Sequence, residues 1–292
     1  MKIIITGSLG NISRPLVQKL IAAGHTVGVV SSKQDKAAKI EALGARALIG
    51  SVEDRQFITT AFKGADAVYT MIPPDFSMAD YNAFSATVAG NYAAAIQEHG
   101  IQYVVNLSSI VTPLSGAAPL ENFFNLEAEL NRVKDLNVVH LRPAMFYTNF
   151  YGQLHHVKER GMIGHNVPPS VNMLLTHPAD IADAAFRYLD DLSFRGINIF
   201  HIISDVKNGS QIAATIGSAI GNPQVQWAFF PDDQLLEGLM QNGFSKDAAQ
   251  AYVIDAGVAI RQNMLNEYYQ ANRLDINGSR SFGHFTNEVF SA

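Results

Sequence analysis

Residues 2–15 read Lys2-Ile3-Ile4-Ile5-Thr6-Gly7-Ser8-Leu9-Gly10-Asn11-Ile12-Ser13-Arg14-Pro15, and this stretch decides the fold. The isoleucines predict a buried strand, the two glycines a turn, and the apolar periodicity that follows a helix ending at Gly24. A strand that enters a helix through a glycine turn is the phosphate-binding entrance of a dinucleotide fold. The context of the glycines, more than the glycines themselves, favours that fold.

The turn has a simple physical explanation. Glycine lets the backbone approach a diphosphate without a Cβ in the way, and a helix start directs unpaired amides and a positive dipole end at the anion. We therefore expect cofactor contacts from six consecutive residues, Gly7, Ser8, Leu9, Gly10, Asn11 and Ile12. Ser13 takes the third glycine position of the fingerprint and is small enough for a slightly wider contact. The alternative is that the glycines only shape a tight turn.

Composition limits the class of protein. The chain has 292 residues, 48% of them hydrophobic and 16% charged, which is typical of a compact protein with a full core. It has no cysteine, which excludes disulfides and thiolate chemistry, and the spacing of its histidines indicates no metal site. The net charge of −5 disfavours nucleic acid as a partner. With no apolar run of membrane-spanning length and no secretory signal, we expect a cytoplasmic protein without a membrane partner.

The first half of the chain alternates β-rich and helical segments. This rhythm predicts an α/β protein with a Rossmann-type, doubly wound parallel sheet, with strands at residues 2–6, 26–30, 46–49, 67–71, 103–107 and 138–141. We assign residues 1–145 to an NAD(P)-binding domain, with a returning helix near 178–190. Residues 146–292 are predicted to form a smaller C-terminal α/β lobe over the carboxyl edge of the sheet, with a strand at 197–203 and a long helix at 246–272.

The end of the second strand distinguishes the two nicotinamide cofactors. An acidic residue there accepts hydrogen bonds from the adenosine ribose, whereas a 2′-phosphate requires donors or a cation. The segment contains Ser31, Ser32 and Lys33, and the first acid is Asp35. These residues favour NADP(H), with NAD(H) as the alternative. A second interpretation is that Ser32 only caps the next helix.

Six segments of the chain match the pattern of one family. They are Thr6-Gly7-Ser8-Leu9-Gly10, Ala23-Gly24-His25-Thr26-Val27, Gly64-Ala65-Asp66-Ala67-Val68, Leu107-Ser108-Ser109, Leu141-Arg142-Pro143-Ala144-Met145-Phe146-Tyr147-Thr148-Asn149 and Asp180-Ile181-Ala182. On these residues the chain resembles the NmrA-like branch of the atypical short-chain dehydrogenases/reductases, including its NADPH:quinone oxidoreductases. The resemblance covers nearly the whole chain, and the segment from Leu141 is its most specific part.

The resemblance also implies where further cofactor contacts lie. Members of the family often carry an aspartate just after the third strand, near the adenine, where this chain has Ser51 and Val52. The other expected contacts are Met71, the last residue of the predicted fourth strand, and Pro73, which follows it.

The chain lacks the usual proton-transfer residues of this superfamily. Catalytic short-chain dehydrogenases resemble one another in a tyrosine followed four residues later by a lysine that lowers the tyrosine's pKa. None of the ten tyrosines here has such a lysine, and no lysine occurs between Lys63 and Lys134. The helix where the pair belongs reads Phe123-Phe124-Asn125-Leu126-Glu127-Ala128-Glu129-Leu130. Alcohol oxidation and sugar epimerisation are therefore disfavoured.

Two functions remain open. In the first, the protein reduces a small-molecule electron acceptor of the quinone type by direct hydride transfer, for which placement and exclusion of water matter more than an acid or base. In the second, it is a non-catalytic NADP(H) redox sensor that acts through a regulatory protein partner. A homodimer is compatible with both hypotheses.

The acceptor pocket is predicted from an aromatic segment and two polar residues. The expected walls are Phe124, Phe146, Tyr147 and Phe150, and Ser108 or Asn149 is the expected hydrogen-bond donor to a carbonyl. Each also has a structural interpretation, since Phe146 and Phe150 are four residues apart, at the spacing of a core helix face. We expect Arg142 to be structural, with its guanidinium bonded to backbone carbonyl oxygens or to a nearby carboxylate such as Glu127 or Glu129.

Overall fold

The computed structural model describes residues 1–120 and 124–290, so that Phe123 lies outside the described residues. The strands are β1 (Lys2–Ile5), β2 (Thr26–Ser31), β3 (Arg46–Ile49), β4 (Ala67–Thr70), β5 (Tyr103–Leu107), β6 (Asn137–Pro143), β7 (Met145–Phe146), β8 (Met162–His165), β9 (Asn172–Thr176), β10 (Ile197–Ile202), β11 (Asp205–Asn208) and β12 (Gln226–Phe229). The α-helices are α1 (Ser13–Ala22), α2 (Ala37–Glu41), α3 (Arg55–Phe62), α4 (Tyr81–Glu98), α5 (Leu126–Leu130), α6 (Leu154–Arg160), α7 (Pro178–Asp191), α8 (Gly209–Ala219), α9 (Asp232–Gln241), α10 (Lys246–Ala249), α11 (Asp255–Arg261), α12 (Met264–Ala271) and α13 (Phe282–Phe290).

Seven parallel strands form the central sheet in the order β10-β6-β5-β4-β1-β2-β3. Strand β1 lies in its interior, where Ile3 and Ile5 pack into the hydrophobic cluster on one face and Ile4 into the cluster on the other. This alternation follows from the two-residue period of a strand, and burial on both faces explains its unbroken apolar sequence. The predicted Rossmann-type α/β fold is confirmed.

Helices cover both faces of the sheet. Leu16 of α1 and Ile181 of α7 pack on one face, and Ile58 of α3, Val88 of α4 and Leu126 of α5 pack on the other. Helix α4 begins at Tyr81 because the Asp80 side chain accepts a hydrogen bond from the Ala83 amide, at 2.8 Å.

The second half of the chain forms a lobe with its own core. Its strands pair in a three-stranded sheet, β11-β9-β7, and a two-stranded sheet, β12-β8. The aromatic side chains of α13, Phe282, Phe285 and Phe290, are buried in this core. Two segments of the second half join the main domain: α7, which packs on α1 and β6, and β10, which extends the central sheet beyond β6.

The prediction of one long helix over 246–272 is wrong. The segment forms α10, a π-helical turn at Gln250–Ile254, α11 and α12. The break before α12 falls at Asn263, whose φ of 66° is in the left-handed region that asparagine tolerates better than most residues. Within residues 1–120 and 124–290, no helix is long and apolar enough to cross a membrane.

Candidate functional site

The glycine turn lies between β1 and α1, and its two glycines differ in what surrounds them. A Cβ at Gly7 would collide with the hydroxyl of Ser13 and would lie 3.4 Å from the Met71 side chain. A Cβ at Gly10 would meet only the Gly7 carbonyl oxygen, at 3.6 Å, which is an ordinary contact. A side chain at position 7 would therefore displace the Ser13 hydroxyl, whereas at position 10 the absence of a side chain leaves room for a ligand.

The first turn of α1 is open to an anion. No side chain caps the helix at Ile12, and its first turn carries no acidic residue. The Ser8 amide donates to the Val30 carbonyl oxygen at 3.1 Å, and Ser8 has a φ of 50°, so the turn is held against β2 in a left-handed conformation. Leu9 is half-buried, and Asn11 is exposed. An uncapped helix start behind a glycine turn fits a diphosphate.

The three residues at the end of β2 differ in their surroundings. Ser31 is buried, and its hydroxyl accepts hydrogen bonds from the Ser8 hydroxyl at 3.0 Å and the Lys33 amide at 3.3 Å. Ser32 and Lys33 are exposed. Lys33, rather than Ser32, occupies the N-cap of the short 3-10 helix that follows, and no side chain caps that helix. Ser31 thus connects β2 to the glycine turn, and the other two side chains are free to face a phosphate.

Two further loops lie at the same edge of the sheet. After β3, Ser51 is exposed, Val52 is buried, and the Asn91 amide group holds the Val52 and Glu53 carbonyl oxygens at 3.0 and 2.8 Å. The loop is therefore anchored to α4.

After β4, the Met71 amide donates to the Thr6 hydroxyl at 3.1 Å, next to the turn, and the Tyr92 hydroxyl donates to the Met71 carbonyl oxygen at 3.2 Å. The Tyr81 hydroxyl donates to the Pro73 carbonyl oxygen at 3.1 Å. Met71 and Gly7 are thus brought together, and Pro73 is fixed by α4.

A buried ion pair between Arg142 and Glu127 lies next to Ser108, the residue after β5. The Arg142 guanidinium donates to both carboxylate oxygens of Glu127, at 2.8 and 2.6 Å, and the Ser108 hydroxyl donates to the same carboxylate. Burial alone would raise the pKa of Glu127, but the hydrogen bonds from Arg142 and Ser108 and the nearby positive charge hold it below its usual value. Glu127 is therefore a fixed anion. The expectation that Arg142 pairs with Glu127 or Glu129 is resolved in favour of Glu127, since Glu129 pairs with the exposed Arg132.

A polar ladder runs through the sheet beside this pair. The Thr70 hydroxyl donates to the Asn106 side-chain oxygen at 3.0 Å, and the Asn106 amide donates to Nδ1 of His140 at 3.1 Å. Nε2 of His140 donates to the Asn131 side-chain oxygen at 2.9 Å. These bonds hold the imidazole neutral with its proton on Nε2, and burial lowers the pKa of His140 to about 4.

The residues predicted to line the acceptor pocket lie in different places. Phe124 packs against the cluster on the α4 face of the sheet, and Phe146 against the cluster on the α1 face. Tyr147 and Phe150 are buried in the core of the lobe, where the Tyr147 hydroxyl donates to the Arg280 carbonyl oxygen at 2.8 Å, and Asn149 is exposed. Ser108 is engaged with Glu127. The structure does not bring these side chains into one cluster.

Sequence reasoning missed three aromatic side chains next to the Met71 loop, Phe76, Phe244 and Tyr252. Phe76 contacts the other two, with ring centroids 5.3 and 5.5 Å away. More than 160 residues separate Phe76 from either partner in the sequence, so that no local spacing could have revealed the cluster.

The fold and the edge of the sheet together define a Rossmann-type protein built to hold a dinucleotide. The family model described as NAD(P)H-binding matches residues 7–191, and the chain belongs to that family, of the NmrA-like, atypical short-chain dehydrogenase/reductase type. The predicted nicotinamide dinucleotide cofactor is thereby confirmed as NAD(P)H.

Two solved structures share the fold over nearly the whole chain. The NADPH-dependent quinone oxidoreductase of Escherichia coli, complexed with NADPH, has a TM-score of 0.79 and 16% identity, with 99% of each chain covered. The triphenylmethane reductase of Citrobacter sp. has a TM-score of 0.78 and 16% identity, with 100% of this chain and 99% of the other covered. At this identity the likeness shows the fold alone.

The curated relatives match shorter segments. A 4-hydroxy-2-methyl-3-oxo-4-farnesyl-3,4-dihydroquinoline-1-oxide ketoreductase of Stigmatella aurantiaca is 29% identical over 112 residues, which cover 37% of this chain and 34% of the relative. An uncharacterized protein of Schizosaccharomyces pombe is 34% identical over 79 residues, 27% of each chain. The chain thus spans about a third or less of the length of these relatives.

Proposed function

We propose that the protein reduces quinone-like acceptors by direct hydride transfer from NADPH. Two features together support the proposal. The glycine turn leads into an uncapped helix start that can bind phosphate. Glu127, in the helix where the short-chain dehydrogenases that the chain resembles would carry a tyrosine–lysine pair, is buried and paired with Arg142. A quinone takes up a hydride without prior protonation, and water can then supply the proton, so the overall products are a hydroquinone and the oxidised nicotinamide. This chemistry asks the protein for placement rather than acid catalysis.

Residues around the turn would hold the cofactor. The main chain from Gly7 to Ile12 would bind the diphosphate, and Ser51, Val52, Met71 and Pro73 would border the adenosine and the rest of the nucleotide. Bound NADPH supplies the hydride. The exposed Ser32 and Lys33 would bind a 2′-phosphate, which favours NADPH over NADH.

Glu127 is unsuited to donate a proton, which narrows the acceptor class. Arg142 and Ser108 both donate to its carboxylate, and its pKa is low. An isolated ketone would need a proton during hydride transfer, whereas a quinone or a cationic dye is sufficiently electron-poor without one. The quinone oxidoreductase and the triphenylmethane reductase, which share the fold, act on acceptors of this kind, which supports the proposal.

The test is NADPH consumption with a panel of quinones, cationic dyes and simple aldehydes, run beside a binding titration with both cofactors. We expect oxidation of NADPH by quinones or dyes, none with aldehydes, and tighter binding of NADPH than of NADH. Intact NADPH binding with no turnover across the panel would contradict the enzymatic proposal and favour a redox sensor. Tighter binding of NADH would contradict the assignment of Ser32 and Lys33.

A further inference from the structure

Strand β10 forms one edge of the central sheet. It pairs in parallel with β6, and none of the other described strands lies on its second side. The strand reads Ile197-Asn198-Ile199-Phe200-His201-Ile202 and contains no lysine, no carboxylate and no proline. Edge strands commonly carry such a residue, because an open edge can pair with the edge of another chain. The sequence of β10 thus gives it no protection against pairing.

The backbone of β10 faces β6 at its even-numbered residues. The Gly196 and Ile202 carbonyl oxygens accept hydrogen bonds from the Val138 and Ala144 amides, at 2.9 and 3.1 Å. Backbone groups alternate in direction along a strand, so the N–H and C=O groups of the odd-numbered residues face away from β6.

Asn277 covers this outward side at the end of the strand. Its side-chain amide donates to the His201 carbonyl oxygen at 2.8 Å, and its side-chain oxygen accepts from the Ile203 amide at 3.0 Å. No hydrogen bond from the described residues reaches the outward groups of Ile197 and Ile199. Within residues 1–120 and 124–290, these two residues therefore have two donors and two acceptors without a partner.

The side chains of the same two residues are apolar and open to solvent. Ile197 is 57% exposed and Ile199 is 47% exposed, and as residues i and i+2 of a strand they lie on one face of the sheet. A single exposed isoleucine is ordinary on a protein surface. Here two exposed isoleucines coincide with the unpaired part of a sheet edge, so one contact could cover both.

The opposite face of β10 carries residue types that are enriched in protein interfaces. The guanidinium of Arg187, on α7, lies 4.7 Å from the ring centroid of Phe200 and 4.9 Å from that of Tyr188, and Arg187 is itself exposed. Arginine and aromatic residues are more frequent in interfaces than on the rest of a protein surface. Both faces of this edge therefore have the composition of a contact surface.

The charges beside the edge are complementary under a two-fold rotation. Arg187 lies over Phe200, in the second half of β10, whereas Asp191 ends α7 and is joined to the start of β10 by only five residues. Both are exposed, and neither forms an ion pair with another residue of the described part of the chain. A two-fold axis through the middle of β10 would bring Arg187 of one copy towards Asp191 of the other.

We propose that β10 pairs antiparallel with β10 of a second copy of this chain, around a two-fold axis at Asn198, so that two seven-stranded sheets become one. In this register, Ile197 of each copy lies opposite Ile199 of the other, and all four outward groups of these residues are paired. A register moved towards the end of the strand would need the His201 carbonyl oxygen, which Asn277 already binds. The proposal is independent of quinone reduction.

The oligomeric state of the full chain gives the first test. Sedimentation velocity at concentrations from about 1 to about 50 μM should show a dimer for the wild type. We expect Ile199→Lys to raise the dissociation constant of the dimer at least about thirtyfold, because a lysine on an edge strand opposes pairing. Thermal denaturation should show that this variant is folded, since the side chain it replaces is already half exposed.

The control is Met240→Lys, which places the same charge on a side chain of α9 that is 45% exposed, and it should remain dimeric. A monomeric wild type, or an Ile199→Lys dimer as tight as the wild type, would overturn the proposal. Absence of NADPH oxidation in a dimeric wild type would contradict only the proposed function.

An engineered disulfide tests the register. The chain contains no cysteine, so Asn198→Cys introduces a single thiol. In the proposed pairing, the two copies of residue 198 face each other at a position without hydrogen bonds, where Cα atoms are about 4.5 Å apart, as a disulfide requires. We expect Asn198→Cys to form a covalent dimer under mild oxidation, measured on a non-reducing gel.

The control for the disulfide is Arg195→Cys. Its two thiols would lie about 20 Å apart along the paired strands, too far to be joined. A covalent dimer from neither variant, or equally from both, would overturn the proposed pairing.

Discussion

The guanidinium of Arg142 holds both carboxylate oxygens of Glu127, at 2.8 and 2.6 Å, in a position where both side chains are almost fully buried. The pair joins α5 to β6, and the hydroxyl of Ser108, the residue after β5, donates a hydrogen bond to the Glu127 carboxylate. It makes this region a rigid, ionised support that offers no acidic proton. This relationship explains why we assign the chemistry to acceptors that need no protein acid.

Removing one member of this pair should lower the free energy of unfolding without directly weakening the binding of the cofactor. Arg142→Ala leaves a buried carboxylate uncompensated, and we expect it to lower the free energy of unfolding by about 3–5 kcal/mol. Urea denaturation measures this loss. Arg132→Ala, which breaks the exposed pair with Glu129, is the control and should cost less than about 1 kcal/mol. Selective loss of NADPH binding in a well-folded Arg142→Ala protein would contradict a structural role.

The two glycines of the turn should respond differently to alanine. Gly10→Ala meets no close protein atom, so we expect a folded protein with at least about tenfold weaker NADPH binding, because the new methyl group occupies the ligand's side of the turn. Gly7→Ala collides with Ser13 and should lower the melting temperature instead. Thermal denaturation and a fluorescence titration distinguish the two effects. Normal NADPH affinity in Gly10→Ala would exclude the turn as the diphosphate site.

Lys33 should distinguish the two cofactors. Lys33 is exposed and follows β2, so its ammonium group can face a 2′-phosphate. Loss of one charge-assisted contact weakens the binding of a ligand by roughly tenfold. We expect Lys33→Ala to weaken NADPH binding by about that factor and to leave NADH binding unchanged. Lys36→Ala, three residues further on, is the control. Calorimetric titration with both cofactors makes the comparison, and an equal loss for both would place the ammonium group away from the 2′-position.

Stability should fall on acidification because His140 is buried neutral. Its pKa is about 4 in the folded protein and near 6.5 when unfolded, so the unfolded chain binds more protons between these values. The contribution of His140 is therefore complete above about pH 6.5 and declines as the pH falls towards 4, by about 2 kcal/mol at pH 5. Urea denaturation at pH 5 and above about pH 6.5 gives the free energy of unfolding at each pH. The difference between the two values should be smaller in His140→Gln than in the wild type. The exposed His155→Gln should behave like the wild type, and an identical pH dependence in all three would contradict the assignment.

Much of the main domain could be predicted from local sequence. Strand β1 has apolar residues at three successive positions because it is buried on both faces. The glycine turn and the helix start that follow it form the predicted phosphate site. The predicted ranges for β3 and β5 match the structure at both ends. Apolar runs of four or five residues between turn signals leave little choice other than a buried strand.

The remaining features depend on contacts between distant residues. The break before α12 comes from the left-handed conformation of Asn263. Apolar periodicity does not reveal the backbone conformation of a single residue, so it predicts a continuous helix. The burial of the Ser31 hydroxyl depends on Ser8, and the position of Phe76 depends on Phe244 and Tyr252. The choice of Glu127 over Glu129 follows from which side of α5 faces β6. None of these relationships has a signature in the neighbouring sequence.

The most direct test of the central claim is a stopped-flow measurement of the single-turnover oxidation of bound NADPH by menadione, at several values from about pH 6 to about pH 8. If hydride passes directly to the acceptor with no acid from the protein, the rate should be measurable, slowed by deuterium on the transferred position, and nearly independent of pH. Absence of oxidation in a protein that binds NADPH, or a rate that falls with the deprotonation of one group, would contradict the account.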